Sequence, residues 1–168
     1  PTFISEAEQE EILAYFFERF GIPPEAFQGY RFVRRGGTIW IASDAPGLDE
    51  ALRQLKVETA GIPLLRRRPE RSKGPALSKV EGMPLWKPTT SGLQVFGRFA
   101  TRNVVDLDDE ALELFLRQGV VQKDFPVEPG YVIVRWKGRV LGCGLYGKGG
   151  LRSQIPSEWW RPLRHPPP

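Results

Sequence analysis

The stretch that decides the fold is Gly130-Tyr-Val-Ile-Val-Arg-Trp-Lys-Gly-Arg-Val-Leu-Gly-Cys-Gly-Leu-Tyr-Gly147. Two β-rich runs, Tyr131–Trp136 and Arg139–Tyr146, flank Lys137-Gly138, a pair suited to a tight hairpin turn. The second run contains Gly142-Cys143-Gly144-Leu145-Tyr146-Gly147, which spells G-x-G-x-x-G. A dinucleotide fingerprint needs a helix to open inside that motif, because the helix N-terminus holds the pyrophosphate. Here Lys148-Gly149-Gly150 follows, and then Pro156 closes the next short run, so no useful helix can open. Only 21 residues follow Gly147, too few for the rest of a βαβ unit. The glycines therefore mark close backbone approach or a bend in a small barrel.

Around this hairpin the charges are uneven. Residues 129–168 hold 7 Lys/Arg and only Glu158 as an acid, whereas residues 1–65 hold 6 Lys/Arg against 10 Asp/Glu. A basic segment beside an acidic one is the footprint of a nucleic-acid-binding module, or of a cationic surface kept for solubility. Arg135, Lys137 and Arg139 lie on the hairpin, and Lys148 and Arg152 lie in the glycine loop and the strand after it. Trp136, Tyr146, Trp159 and Trp160 interleave with them. Cations neutralise phosphates, and exposed aromatic faces stack on unpaired bases. Ser153 and Gln154 add polar groups able to read a base edge or a 2′-hydroxyl. The competing reading makes Trp136 and Tyr146 barrel core and the cations ordinary strand exteriors.

Upstream, Asp108 is placed to cap a helix whose first turn carries Asp109, Glu110 and Glu113, with Leu112, Phe115 and Leu116 facing a core and Gly119 ending it. Strands are expected at Asn103–Val105, at Val120-Val121 and at Leu151–Ile155. Lys87 precedes a proline and should be extended, and a Thr or Ser of Thr89-Thr-Ser91 is placed to cap a short helix that ends at Gly97. The second half is thus short strands around one main helix.

The first half reads as a separate α+β unit. Ser5-Glu-Ala-Glu8 is a capping box, and Ile12, Leu13, Phe16, Phe17 and Phe20 form an apolar stripe at helical spacing. Tyr30–Arg35 and Thr38–Ser43 flank Gly36-Gly37, another hairpin signal. Leu48, Ala51, Leu52 and Leu55 mark a second short helix. Val57–Thr59 and Ile62–Leu65 read as strands. The stretch 66–82, opening Arg66-Arg-Arg-Pro, has neither period and is rich in Pro, Gly, Ser and charge. It reads as a basic linker inserted between two strands, Ile62–Leu65 and Met83–Trp86. The expected organisation is residues 1–97 as one domain, with the linker 66–82 inside it, and residues 98–168 as the other.

Catalytic constellations are hard to assemble from this chain. Its single cysteine, Cys143, sits in a strand with no histidine near it, and its single histidine, His165, lies in a Pro-rich tail. Asp108-Asp109-Glu110 is explained by the helix start better than by a metal. Walker, H-E-x-x-H and G-x-S-x-G motifs do not occur. The expectation is a non-enzyme with no metal or cofactor, or one whose catalytic part lies outside this chain. No run reaches membrane-span length and no signal-peptide pattern opens the chain, so the expected setting is the cytoplasm. The chain begins without an initiator Met, which points to a processed chain or a piece of a longer one.

The block from Asn103 to Arg161 resembles a PUA domain, the RNA-binding module of pseudouridine synthases and archaeosine transglycosylases. The resemblance rests on Leu116-Arg-Gln-Gly119, Val127-Glu-Pro-Gly-Tyr-Val-Ile-Val134 and Lys137-Gly-Arg-Val-Leu-Gly-Cys-Gly144. From Lys87 to Pro156 the chain is similar to the C-terminal region of Sun-family RNA cytosine-5 methyltransferases and to stand-alone archaeal pre-PUA/PUA proteins. Residues 1–65 look more weakly like a pre-PUA domain. The methyltransferase core and its Pro-Cys nucleophile motif are missing, and Cys143 lies in the wrong context to replace it.

The resemblance implies an α+β pre-PUA unit followed by a PUA-like small mixed β-barrel (a pseudobarrel). It implies structured ribosomal or transfer RNA as ligand, in ribosome biogenesis or RNA modification. The chain would act alone, or on a pre-ribosomal particle, or as the targeting part of an RNA methyltransferase. RNA contacts map onto Arg98, Arg102, Arg135, Lys148, Arg152 and Gln154, joined by Lys137 and Arg139 from the cationic hairpin. Two rivals stand beside it: a protein–protein adaptor using Trp159-Trp160, and an RNA-modifying enzyme in its own right.

Overall fold

The computed structural model describes residues 1–56, 60–68 and 86–159. The expected strand at Val57–Thr59, the basic stretch beyond Arg68, Trp160 and the tail with His165 lie outside the described residues.

Two five-stranded sheets organise the described residues. The first is built from β1 (Thr2–Phe3), β2 (Tyr30–Arg35), β3 (Thr38–Ser43), β4 (Ile62–Arg67) and β5 (Trp86–Pro88), neighbours in that order and all antiparallel. β4 and β5 pair directly, so the basic stretch separates two paired strands as expected, but β5 runs Trp86–Pro88 rather than Met83–Trp86, and Met83–Leu85 lie outside the described residues. Arg66 and Arg67 belong to β4, which extends the strand into the segment whose composition reads as linker. Their side of the pair is fixed by the register Arg66↔Lys87 and Arg67↔Trp86.

Helix α1 (Glu6–Phe20) packs on this sheet. Ser5 caps it by accepting from the Glu8 N–H, and Gly21 ends it in a left-handed conformation. Ile12, Phe16 and Phe20 are buried, but Phe17 is half-exposed, which narrows the expected stripe. The reason is angular: Phe17 lies one residue round from Phe16, on the flank of the buried face. Helix α2 (Leu48–Gln54) forms where expected, but none of its residues is buried.

The second sheet contains β6 (Val104–Leu107), β7 (Val120–Val121), β8 (Gly130–Trp136), β9 (Arg139–Gly147) and β10 (Gly150–Ser153). Their order is β6-β8-β9-β10-β7, with β6–β8 parallel and the rest antiparallel. The fold is α+β, an N-terminal mixed unit followed by an open, mixed-sheet unit around one main helix. β6 begins one residue later than expected, because Asn103 takes a positive φ and leaves the strand. β10 ends at Ser153 rather than Ile155, where the chain turns toward Pro156.

β8 explains why the deciding stretch reads as a continuous apolar run. Both of its faces are covered, as is usual for a central strand with a parallel neighbour. Tyr131 and Ile133 point into the core shared with α1 and the first sheet. Val132 and Val134 point into a second core with Val105, Leu151 and Phe115. Phe115 comes from α4 (Asp109–Gln118), capped by Asp108, whose carboxylate accepts from the Ala111 N–H at 2.7 Å.

The glycine string is strand and turn, not a nucleotide cradle. A Cβ on Gly144 would lie 2.7 Å from Leu151 and 2.8 Å from Val134, and one on Gly142 would lie 2.7 Å from Thr90. These contacts are too short for any side chain, so the glycines answer to close packing. Thr90 opens α3 (Thr90–Phe96), capped by Thr89, and its hydroxyl accepts from the Cys143 N–H. α3 is thereby pinned to β9, and its Leu93 and Phe96 complete the shared core. Among the described residues no helix is long and apolar enough to cross a membrane.

Candidate nucleic-acid interface

The eight residues singled out from the sequence fall into three separate groups. Arg98 and Arg102 lie on the connection from α3 to β6. Arg135, Lys137 and Arg139 surround the β8–β9 turn, where Lys137 and Gly138 both have positive φ. Lys148 sits on the β9–β10 turn, with Arg152 and Gln154 on and just after β10. The nine residues of β9 hold the two turns apart. At about 3.3 Å per residue, that is roughly 25 Å.

The groups differ in how they are neutralised. Arg135 makes a forked contact with Asp106, Nε to Oδ1 at 2.6 Å and Nη2 to Oδ2 at 2.8 Å. That bond raises the Arg135 pKa and holds the Asp106 carboxyl below its usual range. Trp136 donates its indole N–H to Asp109 at 2.9 Å, and the Lys137 ammonium lies 4.8 Å from its ring centroid. Trp136 is thus tied to the start of α4. Tyr146 is likewise structural: its hydroxyl accepts from the Phe125 N–H at 3.1 Å, and it packs on the α4 core. Arg102 donates to the Phe17 carbonyl at 2.5 Å, and the Arg98 guanidinium lies 4.7 Å from the Phe99 ring centroid. Among the described residues, Lys137, Arg139, Lys148 and Arg152 are exposed and form no ion pair with a carboxylate.

Arg152 and Gln154 point to the same side of the second sheet as the shared core. The register runs Tyr131↔Leu145 and Leu145↔Arg152, with Cys143 and Gln154 in the next row. Gln154 accepts a hydrogen bond from Lys87 Nζ at 2.7 Å. The local sequence marks Lys87 only as an extended residue before proline. Its place beside the candidate site depends on the β4–β5 pairing, which no local pattern announces.

A second feature has no signal in the sequence. Arg19, at the end of α1, donates Nε to the Tyr131 carbonyl at 2.8 Å and Nη2 to the Glu128 carbonyl at 2.9 Å. Asn103 donates to the Arg19 carbonyl at 2.7 Å and accepts from the Glu128 N–H at 2.9 Å. The Glu128-Pro-Gly130 motif therefore docks the C-terminal unit on α1. Cys143 is fully buried, and burial pushes its thiol up to about 12, so it is a packing residue.

The comparisons with known proteins agree with this architecture. Residues 102–161 match the family model described as the methyltransferase RsmF PUA domain. The C-terminal unit is a PUA-like domain. Residues 3–61 match a family of unknown function, DUF7122. No curated protein matches the chain. The PUA match begins at Arg102 and contains α4, β8, β9 and β10, hence every strand that carries Arg135, Arg139 and Arg152. Arg66, Lys87 and Arg98 lie in the interval that neither family model covers.

Proposed function

We propose that this chain binds structured RNA, ribosomal or transfer RNA, through its PUA-like domain. It serves ribosome biogenesis or RNA modification in the cytoplasm, as a binding module rather than as a catalyst. The N-terminal unit acts as the pre-PUA partner of that domain. The observation that carries this reading is the match of residues 102–161 to a PUA domain of a methyltransferase family. The exposed cations that have no carboxylate partner among the described residues, Lys148 and Arg152 foremost, supply the phosphate contacts such a module needs. The matched domain is that of a methyltransferase, which supports a role as the RNA-targeting part of an RNA methyltransferase, in the same protein or in trans.

The test is RNA affinity as a function of salt, with bulk transfer RNA and a ribosomal RNA transcript as probes. Wild type should bind with an affinity that falls steeply with salt. Lys148→Ala with Arg152→Ala should weaken binding to both probes and flatten the log–log salt slope by about two, one for each phosphate that is no longer neutralised. An unchanged slope removes the assignment of these residues. Co-purification with an RNA methyltransferase checks the role in trans.

A further inference from the structure

We propose that the RNA-binding surface crosses the junction between the two units, and that Lys87 and Arg66 of the first sheet bind the phosphodiester backbone together with Arg152. This rests on the RNA-binding reading above and assigns part of the same interface to a region that neither family model covers.

The geometry is a cross-strand run of cations that meets no acid among the described residues. Arg66 and Lys87 are directly opposite each other on β4 and β5. Like charges at such positions destabilise a sheet. Among the described residues neither forms an ion pair with a carboxylate. Lys87 is half-buried. Its desolvation lowers its pKa; the Cys143 thiol opposes this, and the neighbouring positive charges of Arg66 and Arg68 add to it. A lysine held among cations, partly out of water, is a cost in the free protein that an anion relieves.

The first sheet meets the second at this point. The bond from Lys87 to Gln154 joins β5 to the end of β10, two residues from Arg152. Arg152 stands in the row of Leu145 and Tyr131, on the side of the second sheet that faces the first. The Tyr131 ring lies 6.0 Å from the Lys87 ammonium and 5.7 Å from the Arg68 guanidinium. Arg152, Gln154, Lys87 and Arg66 therefore trace one path from the PUA-like domain onto the β4–β5 pair. The spacing of charges along a strand pair suits a polyanion, which engages several of them at once, better than a single small anion.

The test uses the full chain with the same two RNA probes. Lys87→Gln with Arg66→Gln removes both charges and keeps a polar group beside Gln154. Arg53→Gln with Lys56→Gln, on and after α2, is the control of equal charge. Thermal melting first establishes that each variant is folded. The expected result is weaker binding and a salt slope flatter by about two for the Lys87/Arg66 pair. The α2 pair should leave the slope near that of wild type, and Lys87→Arg alone, which keeps the charge, should bind as wild type does. The proposal is overturned if the Lys87/Arg66 pair keeps the wild-type slope while Lys148→Ala with Arg152→Ala flattens it, or if the α2 pair has an equal effect. If Lys87→Gln with Arg66→Gln does not fold, Lys87→Arg with Arg66→Gln is read instead, and a slope flatter by about one is required. Wild type that binds neither RNA overturns the RNA-binding reading itself.

Discussion

The two faces of the second sheet are covered in different ways. On the α4 side, Val132, Val134, Leu151 and Phe115 form a sealed apolar core, and the helix turns Asp109, Glu110 and Glu113 to solvent. On the side of the first sheet, the apolar centre at Ile133 and Cys143 gives way to Lys87, Gln154 and Arg152 at its margin. One face therefore holds the domain together beneath an acidic exterior. The other combines docking with an open cationic edge. A polyanion is repelled by the first and attracted by the second, so the burial pattern and the charge pattern select the same face.

The largest expected effect is on the sealed face. Phe115→Ala should destabilise the protein by about 3–5 kcal/mol through the cavity it leaves, as measured by chemical denaturation. RNA affinity of the molecules that remain folded should be unchanged. A matching loss of affinity would mean that the α4 face takes part in binding and that the contrast between the faces is false.

On the docking face, the buried Cys143 thiol links stability to pH. Its folded-state pKa, about 12, lies above the ordinary 9.0, because burial disfavours the thiolate. The stability this confers is complete below about pH 9 and is lost as pH rises toward 12, because the unfolded chain releases the proton first. The hydroxyls of the partly buried Tyr15 and the buried Tyr131, raised chiefly by desolvation, act in the same direction. Melting temperatures from pH 8 to about 11 should fall less steeply in Cys143→Ala than in wild type. Equal slopes would remove Cys143 from this account.

The smallest effect belongs to the β8–β9 end. Asp106→Asn should cost about 0.2–1 kcal/mol, the value of an exposed ion pair. The contribution is present above the ordinary carboxylate range and is lost as pH falls through the depressed pKa of Asp106. Freed from its carboxylate, Arg135 should add to RNA affinity only if this end touches RNA, so the same variant separates the two ends of β9.

Much of this is legible in the sequence, for local reasons. Ser5 and Asp108 announce two helix starts, the run Thr89-Thr-Ser91 announces a third without naming which residue caps it, and Lys137-Gly138 announces the hairpin, because caps and turns are set by a few adjacent residues. The alternation hidden in Tyr131–Val134 is not legible. With both faces buried, the run shows no polar residues to reveal which side faces which core. The grouping of cations also misleads. Arg135 and Lys148 are close in sequence and both basic, yet β9 holds their turns apart, and Asp106 reaches Arg135 only through the parallel β6–β8 pairing. Lys87 and the Arg19–Asn103–Glu128 clamp depend on contacts between distant segments, which composition and periodicity do not encode.

The most direct measurement is ultraviolet crosslinking of the full chain to RNA, followed by identification of the crosslinked peptides. Crosslinks should concentrate in residues 147–154 and 86–88, and be absent from the exposed face of α4. Crosslinks dominated by α4, or no RNA binding at any salt concentration, would contradict the account.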